Sequence, residues 1–506
     1  MTPGSLPRPW GGSVACLLAP GALALLVACH AGEVDTATPG APPPVEQQRP
    51  SVLLICVDDL RPELGCYGAD HAITPHLDAF AASALRFDRH YVQHPTCGAA
   101  RFAMLTGRGP TEPAHFGNGA FATLAEGASP TDTLPGAFRA AGYRTVGLGK
   151  ISHSHDGRRP DGSHELPLAW DELPTDPGPW REARHLLHGY GGGRARIAGK
   201  SPISERAFDE DLDYPDAHLA RQAVEALGQL ATQEQPFLLA VGFFKPHLPF
   251  AAPRPYWDLY DRDRLPPSTA PEPPGQLPEI HGVHQSGEVT HNYSAQGYEP
   301  HFWSEAARRH LRHGYLAATS YVDAQIGQLL DEVERLELED ELVVVVWGDH
   351  GWHLGELGLF GKHTPYEASL RSALLVRAPG RTVPGSSTEA LFESRGLYPL
   401  LAALCGVPAP EELQHGPSPA RLLEEPTAPG LVAAESWWRR GGLTAHSLRT
   451  ASYRSIEWTD RAGEVVSREL YDLSSFPFEL TNVAGQTPHE EAVARELEGL
   501  DPDRSR

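Results

Sequence analysis

The sequence predicts an α/β fold. It reads as a large, mostly parallel sheet sandwiched by helices, followed by a small C-terminal antiparallel-sheet domain. Three observations predict this. Continuous apolar runs recur along the chain, as expected of strands buried on both faces of a parallel sheet. Helical patterns lie between them, and strands alternating with helices make a sheet covered on both sides. After Pro429 the pattern changes to short alternating segments.

Taken in order, residues 1–29 read as an export signal. Arg8 and the terminal amine precede an apolar stretch from Gly12 to Ala28, interrupted by Pro20 and too short for a spanning helix. Leu26-Val27-Ala28-Cys29 resembles the lipobox of bacterial lipoproteins, which makes Cys29 the expected lipidated first residue of the mature chain; an ordinary cleaved signal peptide is the alternative. Residues 30–49, with Pro39, Pro42, Pro43 and Pro44, read as a tether that need not fold. The expected location is therefore the bacterial cell envelope, periplasmic or outer-membrane, with lipid as the anchor. The catalytic α/β domain is assigned to 50–428 and the small domain to 429–500.

The strands expected in the large domain are Ser51–Val57, 145–148, Phe237–Phe243, 342–347 and 373–376. Residues 76–85, 216–230 and 306–336 carry helical patterns. Residues 252–300 hold Pro, Gly and His clusters with little periodicity and read as a surface excursion at a pocket rim. The small domain contributes short strands at 431–435, 446–453, 455–458 and 469–472, then a helix at 488–500.

Composition restricts the function classes. A net charge of −23 over 506 residues argues against a nucleic-acid partner, which wants a basic face. A small anion needs only local positive charge. Of 42 basic residues, only Lys150, Lys200, Lys245 and Lys362 are lysine, so each retained lysine is a candidate for chemistry. Six cysteines in a chain of this length make no disulfide scaffold. Cys56 and Cys66 are expected to be reduced, Cys405 to be core, and His76, His90, His94, His115 and His313 to be structural or on the surface.

Ligands of open α/β sheets collect at the carboxyl ends of strands. The first strand ends in Asp58-Asp59, either a metal-binding pair or a turn and helix-cap pair. The 342–347 strand ends in Gly348-Asp349-His350-Gly351, again metal ligands or a satisfied turn. Three carboxylates together favour a hard cation such as Ca²⁺ or Mg²⁺. Cys97, four residues before Arg101 and opening a helix, is either a nucleophile in an anion-stabilising setting or a buried inert thiol.

In joint order these motifs resemble the type I sulfatases of the alkaline-phosphatase-like superfamily, and within them the iduronate-2-sulfatase branch. The series runs Val57-Asp58-Asp59-Leu-Arg-Pro; Cys97-x-x-x-Arg101 with Leu105-Thr-Gly-Arg108; Gly149-Lys150 with His153; Lys245-Pro-His247-x-Pro-Phe; and Gly348-Asp349-His350-Gly-Trp-x-Leu-Gly-Glu356 with Lys362. Glu469-Leu-Tyr-Asp472 and Asn482-Val-Ala extend it to the C-terminus. The resemblance implies that a formylglycine-generating enzyme oxidises Cys97 to formylglycine, whose aldehyde hydrate attacks the sulfur of a sulfate ester. It implies a Ca²⁺ held by Asp58, Asp59, Asp349 and His350 together with residue 97. Arg101 and Lys150 would stabilise the formylglycine and bind sulfate. His153 would be the base that frees the sulfate, and His247 and Lys362 would contact it, His247 protonating the departing sugar oxygen. Lys245 would lie behind the site or at its rim.

The implied substrate is a sulfated carbohydrate, on the model of a 2-O-sulfated uronic acid. One departure stands out. The family's Cys-x-Pro-Ser-Arg signature is Cys97-Gly98-Ala99-Ala100-Arg101 here. A phosphoester or phosphonate hydrolase of the same superfamily, and a non-catalytic descendant that binds sulfated glycans, are the competing readings.

Overall fold

The computed structural model describes residues 49–498 apart from 111, 125–128, 278–285, 295–303 and 414–415. The expected export signal and all but the last residue of the tether lie outside the described residues.

A seven-stranded sheet forms the centre. Its strands are β1 (Ser51–Val57), β2 (Leu85–Phe87), β3 (Arg144–Gly149), β4 (Phe237–Phe243), β5 (Leu342–Gly348), β6 (Leu374–Arg377) and β7 (Ser386–Thr388). The order is β7-β2-β6-β5-β1-β4-β3. β3, β4, β1 and β5 are mutually parallel, and only the β5–β6 and β6–β2 pairings are antiparallel.

The apolar runs are continuous because successive side chains feed opposite cores. Val52, Leu54 and Cys56 of β1, with Val343, Val345 and Trp347 of β5, pack under helices α2 (Cys97–Thr106), α3 (Leu134–Ala140) and α7 (Leu397–Cys405). Leu53, Ile55 and Val57, with Leu342, Val344 and Val346, pack under α1 (Pro75–Ala81), α4 (Pro215–Leu230) and α6 (Glu305–Arg335). Each such side chain contributes about 1.5–3 kcal/mol by leaving water. α6 starts at Ser304, whose hydroxyl accepts from the Ala307 amide, and α4 starts with Pro215, whose missing N–H is no loss there.

The segment read as a surface excursion is partly internal. Trp257 and Val289 are buried, and Val289 sits on a short helix, α5 (Gly287–His291), that faces the carboxyl end of the sheet.

The C-terminal part is a four-stranded antiparallel meander: β8 (Ala434–Arg440), β9 (Leu443–Arg449), β10 (Tyr453–Thr459) and β11 (Val465–Asp472). β9 and β10 alternate buried and partly exposed residues, as a half-buried sheet requires. Gly441-Gly442 joins β8 to β9 with both φ values positive (59° and 89°), the backbone of a two-residue hairpin turn. The meander is tied to the large sheet's periphery: the Trp437 amide donates to Gln93 O (2.8 Å) and Arg454 pairs with Glu367 (2.6 Å). α8 (Thr487–Glu496) follows it. Among the described residues, no helix is long and apolar enough to cross a membrane.

Candidate active site

Four adjacent strand ends and one helix start build the site. β1 runs into Asp58, β5 into Asp349 and β3 into Lys150, and β4 leads through Phe244 to Lys245 and His247. α2 begins at Cys97. The chain turns sharply after β1: Asp59 has φ 62°, in the left-handed region that asparagine and aspartate tolerate best among residues with a side chain. Tyr315 Oη donates to Asp59 O (2.8 Å), and the Asp59 amide donates to Asp349 Oδ1 (2.9 Å), which fixes that turn. Lys150 enters the site because two glycines allow β3 and β4 to touch. A Cβ on Gly242 would lie 2.0 Å from Lys150 O, and one on Gly149 would lie 2.3 Å from Gly242 O.

Arg101 clamps the two strand ends. Its guanidinium donates to Asp58 Oδ1 (3.0 Å), to Asp349 Oδ2 (2.9 Å), and to the carbonyls of Lys150 and Ile151. Lys150 Nζ donates to Asp58 Oδ2 at 2.6 Å. Lys362 Nζ reaches Asp59 Oδ1 (2.8 Å) and Cys97 Sγ (3.2 Å). His350 Nε2 lies 3.3 Å from Cys97 Sγ and 3.4 Å from Asp59 Oδ1, while its Nδ1 sits 2.9 Å from Gly351 O. That contact turns Nε2 toward the site, the arrangement of a metal-ligating imidazole. All of these side chains are buried.

The electrostatics follow from this packing. Burial raises the Cys97 thiol and Asp58 raises it further, but Lys150 and Lys362 outweigh both and bring it down to about 5. Burial disfavours the charged form of His247, yet Asp59 and Glu288 outweigh it and hold the imidazole at about 10. Burial, reinforced by Lys150, pushes His153 down to about 2. Its Nδ1 is buried without a hydrogen-bond partner. Burial opposes the charged form of His350 too, but Asp349 and Cys97 hold it at about 9, so at neutral pH the metal-free site has His247 and His350 protonated and His153 neutral and able to accept.

The donor set fits a hard divalent cation. Ligand atoms of Asp58, Asp59, Cys97 and His247 lie within 4.8 Å of one another, as do those of Cys97, Asp349 and His350. Asp59 Oδ2 is buried with no hydrogen-bond partner. Burial pushes the carboxyl groups of Asp59 and Asp349 up despite their basic neighbours, the mark of buried carboxylates short of positive charge.

The residues singled out in the sequence therefore lie together, with two refinements. Arg101, expected to bind sulfate, instead spends its guanidinium on Asp58, Asp349 and two backbone carbonyls. Lys245 is neither at the rim nor aimed at the pocket. Its buried ammonium donates to the carbonyls of His247 (2.8 Å) and Pro249 (2.9 Å) and reaches that of Leu187 (3.4 Å). It braces the loop that presents His247, together with Asp216, whose carboxylate accepts from the amides of Phe244 (2.6 Å) and Lys245 (3.2 Å). Lys200 is exposed. Cys56, Cys66 and Cys405 are free thiols, Cys56 and Cys405 buried. His90 is a satisfied core histidine, with Nε2 2.8 Å from Ser394 Oγ.

Sequence reasoning missed Asp216 and Glu288. Glu288, on α5, pairs with His247 Nε2 at 2.9 Å and Lys362 Nζ at 3.4 Å. Asp216 carried a weak signal as an acidic residue following Pro215 in the first turn of a predicted helix. Glu288 lies in an aperiodic stretch and carried none.

Comparison with known proteins gives the family and the fold. The family model described as Sulfatase matches residues 50–407, and that of the N-sulphoglucosamine sulphohydrolase C-terminal region matches 355–502. Iduronate 2-sulfatase of Mus musculus is 27% identical, over 87% of this chain and 91% of its own length. Choline-sulfatase of Rhizobium meliloti is 28% identical, over 86% of this chain and 82% of its own. Among solved structures, the phosphonate monoester hydrolase of Silicibacter pomeroyi superposes with a TM-score of 0.67 at 24% identity, covering 88% of this chain and 93% of that one.

Proposed function

The chain belongs to the sulfatase family of sulfuric ester hydrolases, and on that premise we propose that it removes sulfate from a sulfated carbohydrate, a 2-O-sulfated uronic acid being the first candidate. The observation that carries this reading is the convergence of Lys362 (3.2 Å) and His350 (3.3 Å) on Cys97 Sγ beside three strand-end carboxylates, with Lys150 and His247 around them. A sulfate ester needs such clustered positive charge, and a water-poor pocket makes that charge count.

Cys97 is the residue that a formylglycine-generating enzyme would oxidise; formylglycine, once formed, supplies a hydrated-aldehyde oxygen as the nucleophile. Asp58, Asp59, Asp349 and His350 would hold Ca²⁺ with residue 97, and the ion supplies Lewis-acid polarisation of the sulfate. The chain's own groups do the rest. Lys150 and Lys362 hold the anion, and Arg101 fixes Asp58 and Asp349 relative to each other. His247, kept protonated, donates to the departing sugar oxygen through Nε2. His153, kept neutral, accepts the proton whose removal releases sulfate. Residues 1–29 direct the chain to the bacterial envelope, where lipid on Cys29 and the tether of residues 30–49 would anchor it.

Sulfate release by the chain co-produced with a formylglycine-generating enzyme tests this reading, using defined sulfated oligosaccharides and matched sulfate and phosphate esters. The sulfate esters are expected to turn over faster. Faster phosphate hydrolysis would move the assignment to the phosphoester branch. A Cys29→Ser variant is expected to leave the detergent-extracted fraction and become soluble.

A further inference from the structure

The pocket proposed to bind sulfate already contains an anion of its own. Glu288 Oε1 lies 2.9 Å from His247 Nε2 and Oε2 lies 3.4 Å from Lys362 Nζ. These are two of the three cations that the proposed reaction assigns to the substrate, Lys150 being the third. We propose that Glu288 is the resident counter-anion of this pocket: it occupies His247 and Lys362 in the substrate-free protein, yields them to the incoming sulfate group, and returns to help expel inorganic sulfate. The inference rests on the sulfatase reading above.

Four observations carry it. The carboxylate is placed by a built segment. Ser286 caps α5 by accepting from the Glu288 amide (3.3 Å) and pairs with His363 Nδ1 (3.0 Å); Val289 is buried, and the Ser294 amide donates to Ser201 O (2.9 Å). Second, Glu288 is on the open side of the pair: its side chain is 12% exposed against 4% for His247 and 3% for Lys362. An anion entering from solvent meets it first. Third, both nitrogens of His247 are engaged, Nε2 by Glu288 and Nδ1 by Leu248 O at 2.6 Å. Nε2 can reach a leaving oxygen only after the carboxylate withdraws. Fourth, sulfate and a retained carboxylate would share two buried cations, and like charges held that close repel strongly.

Exchange of one anion for another leaves the pocket's charge nearly unchanged. No buried cation is bare at any stage, and the product dianion faces a competitor tethered in place at high effective concentration. A substrate must then bring additional contacts at the rim to win the exchange.

Calorimetric titration of inorganic sulfate into the Ca²⁺-loaded full chain tests this, with product inhibition of sulfate-ester turnover as a second readout. Glu288→Gln is expected to bind sulfate at least about tenfold more tightly than the parent and to show a correspondingly lower inhibition constant. Glu288→Asp, which keeps the charge but shortens the reach, is expected to gain about threefold. If the Gln variant fails to fold, judged by thermal unfolding, the Asp variant decides. Adding Lys362→Ala is expected to cancel the gain. Sulfate affinity that is unchanged or weaker in both variants overturns the proposal while leaving a turning-over sulfatase intact. Absence of both sulfate binding and sulfate-ester turnover in the parent overturns the sulfatase reading, and this inference with it.

Discussion

Lys150 and Lys362 each neutralise a buried carboxylate, so removing Lys150 leaves Asp58 with Arg101 alone and removing Lys362 leaves Asp59 with His350 as its remaining ion-pair partner. Sequence alone would have both positions matter to turnover and not to folding; the contacts revise that. Lys150→Ala is expected to destabilise the metal-free protein by roughly 3–5 kcal/mol in denaturant titration, besides abolishing turnover. His247 makes a pH-dependent contribution. Its folded pKa is raised from 6.5 to about 10, so the stability it contributes in metal-free protein is complete below pH 6.5 and is lost as pH rises through about 10. His247→Gln is expected to flatten the fall in stability across that window. Asp59 has an unpartnered Oδ2, so a divalent cation is expected to raise the thermal midpoint of the parent and, by much less, that of Asp59→Asn. At this scale the scarcity of lysine was informative for Lys150 and Lys362. For Lys245 the first of the two expected places is the one found, behind the site, among backbone carbonyls that no motif encodes.

The strands were legible wherever both faces are buried, because the two cores demand apolar residues at every position of β1, β4 and β5. The short strand β2 and the edge strand β7 beside it were not. Each spans three residues, too few for a pattern; β2 is held by pairing with β6 on one side and β7 on the other. The loop ends that make the site were legible as chemistry but not as geometry. What lets Lys150 turn inward is the absence of side chains at Gly149 and Gly242. Gly242→Ala is expected to separate β3 from β4 and cost about 3 kcal/mol or more in unfolding experiments, with loss of turnover. α5 was illegible for a related reason: its five residues are held by capping and by one buried valine, which leave no periodic trace.

At the scale of the described body, the C-terminal meander supports the segment that carries Lys362. Arg454, fully buried, ties β10 to Glu367 (2.6 Å) and Glu479 (2.9 Å), and Glu367 opens the turn that follows Lys362. Arg454→Ala would leave buried Glu479 without its ion-pair partner and Glu367 with Arg449 alone. It is expected to cost roughly 3–5 kcal/mol and to lower turnover although it touches no substrate, measured by thermal unfolding and sulfate release in parallel. The Cys97-Gly98-Ala99-Ala100-Arg101 segment folds as the buried first turns of α2, with Ala100 packed against Tyr91, Leu370 and Ala434. The side chains kept at its two ends are the ones that reach the site. The central claim is that this turn presents an oxidised residue 97 to a sulfate ester. Mass analysis of the Cys97 peptide from chain co-produced with a formylglycine-generating enzyme, paired with sulfate release from a 2-O-sulfated uronic acid oligosaccharide, tests it most directly. The account predicts an aldehyde at residue 97, sulfate release that scales with the converted fraction, and none from Cys97→Ala. Release that persists undiminished in Cys97→Ala, or a fully converted chain that hydrolyses no sulfate ester, would contradict it.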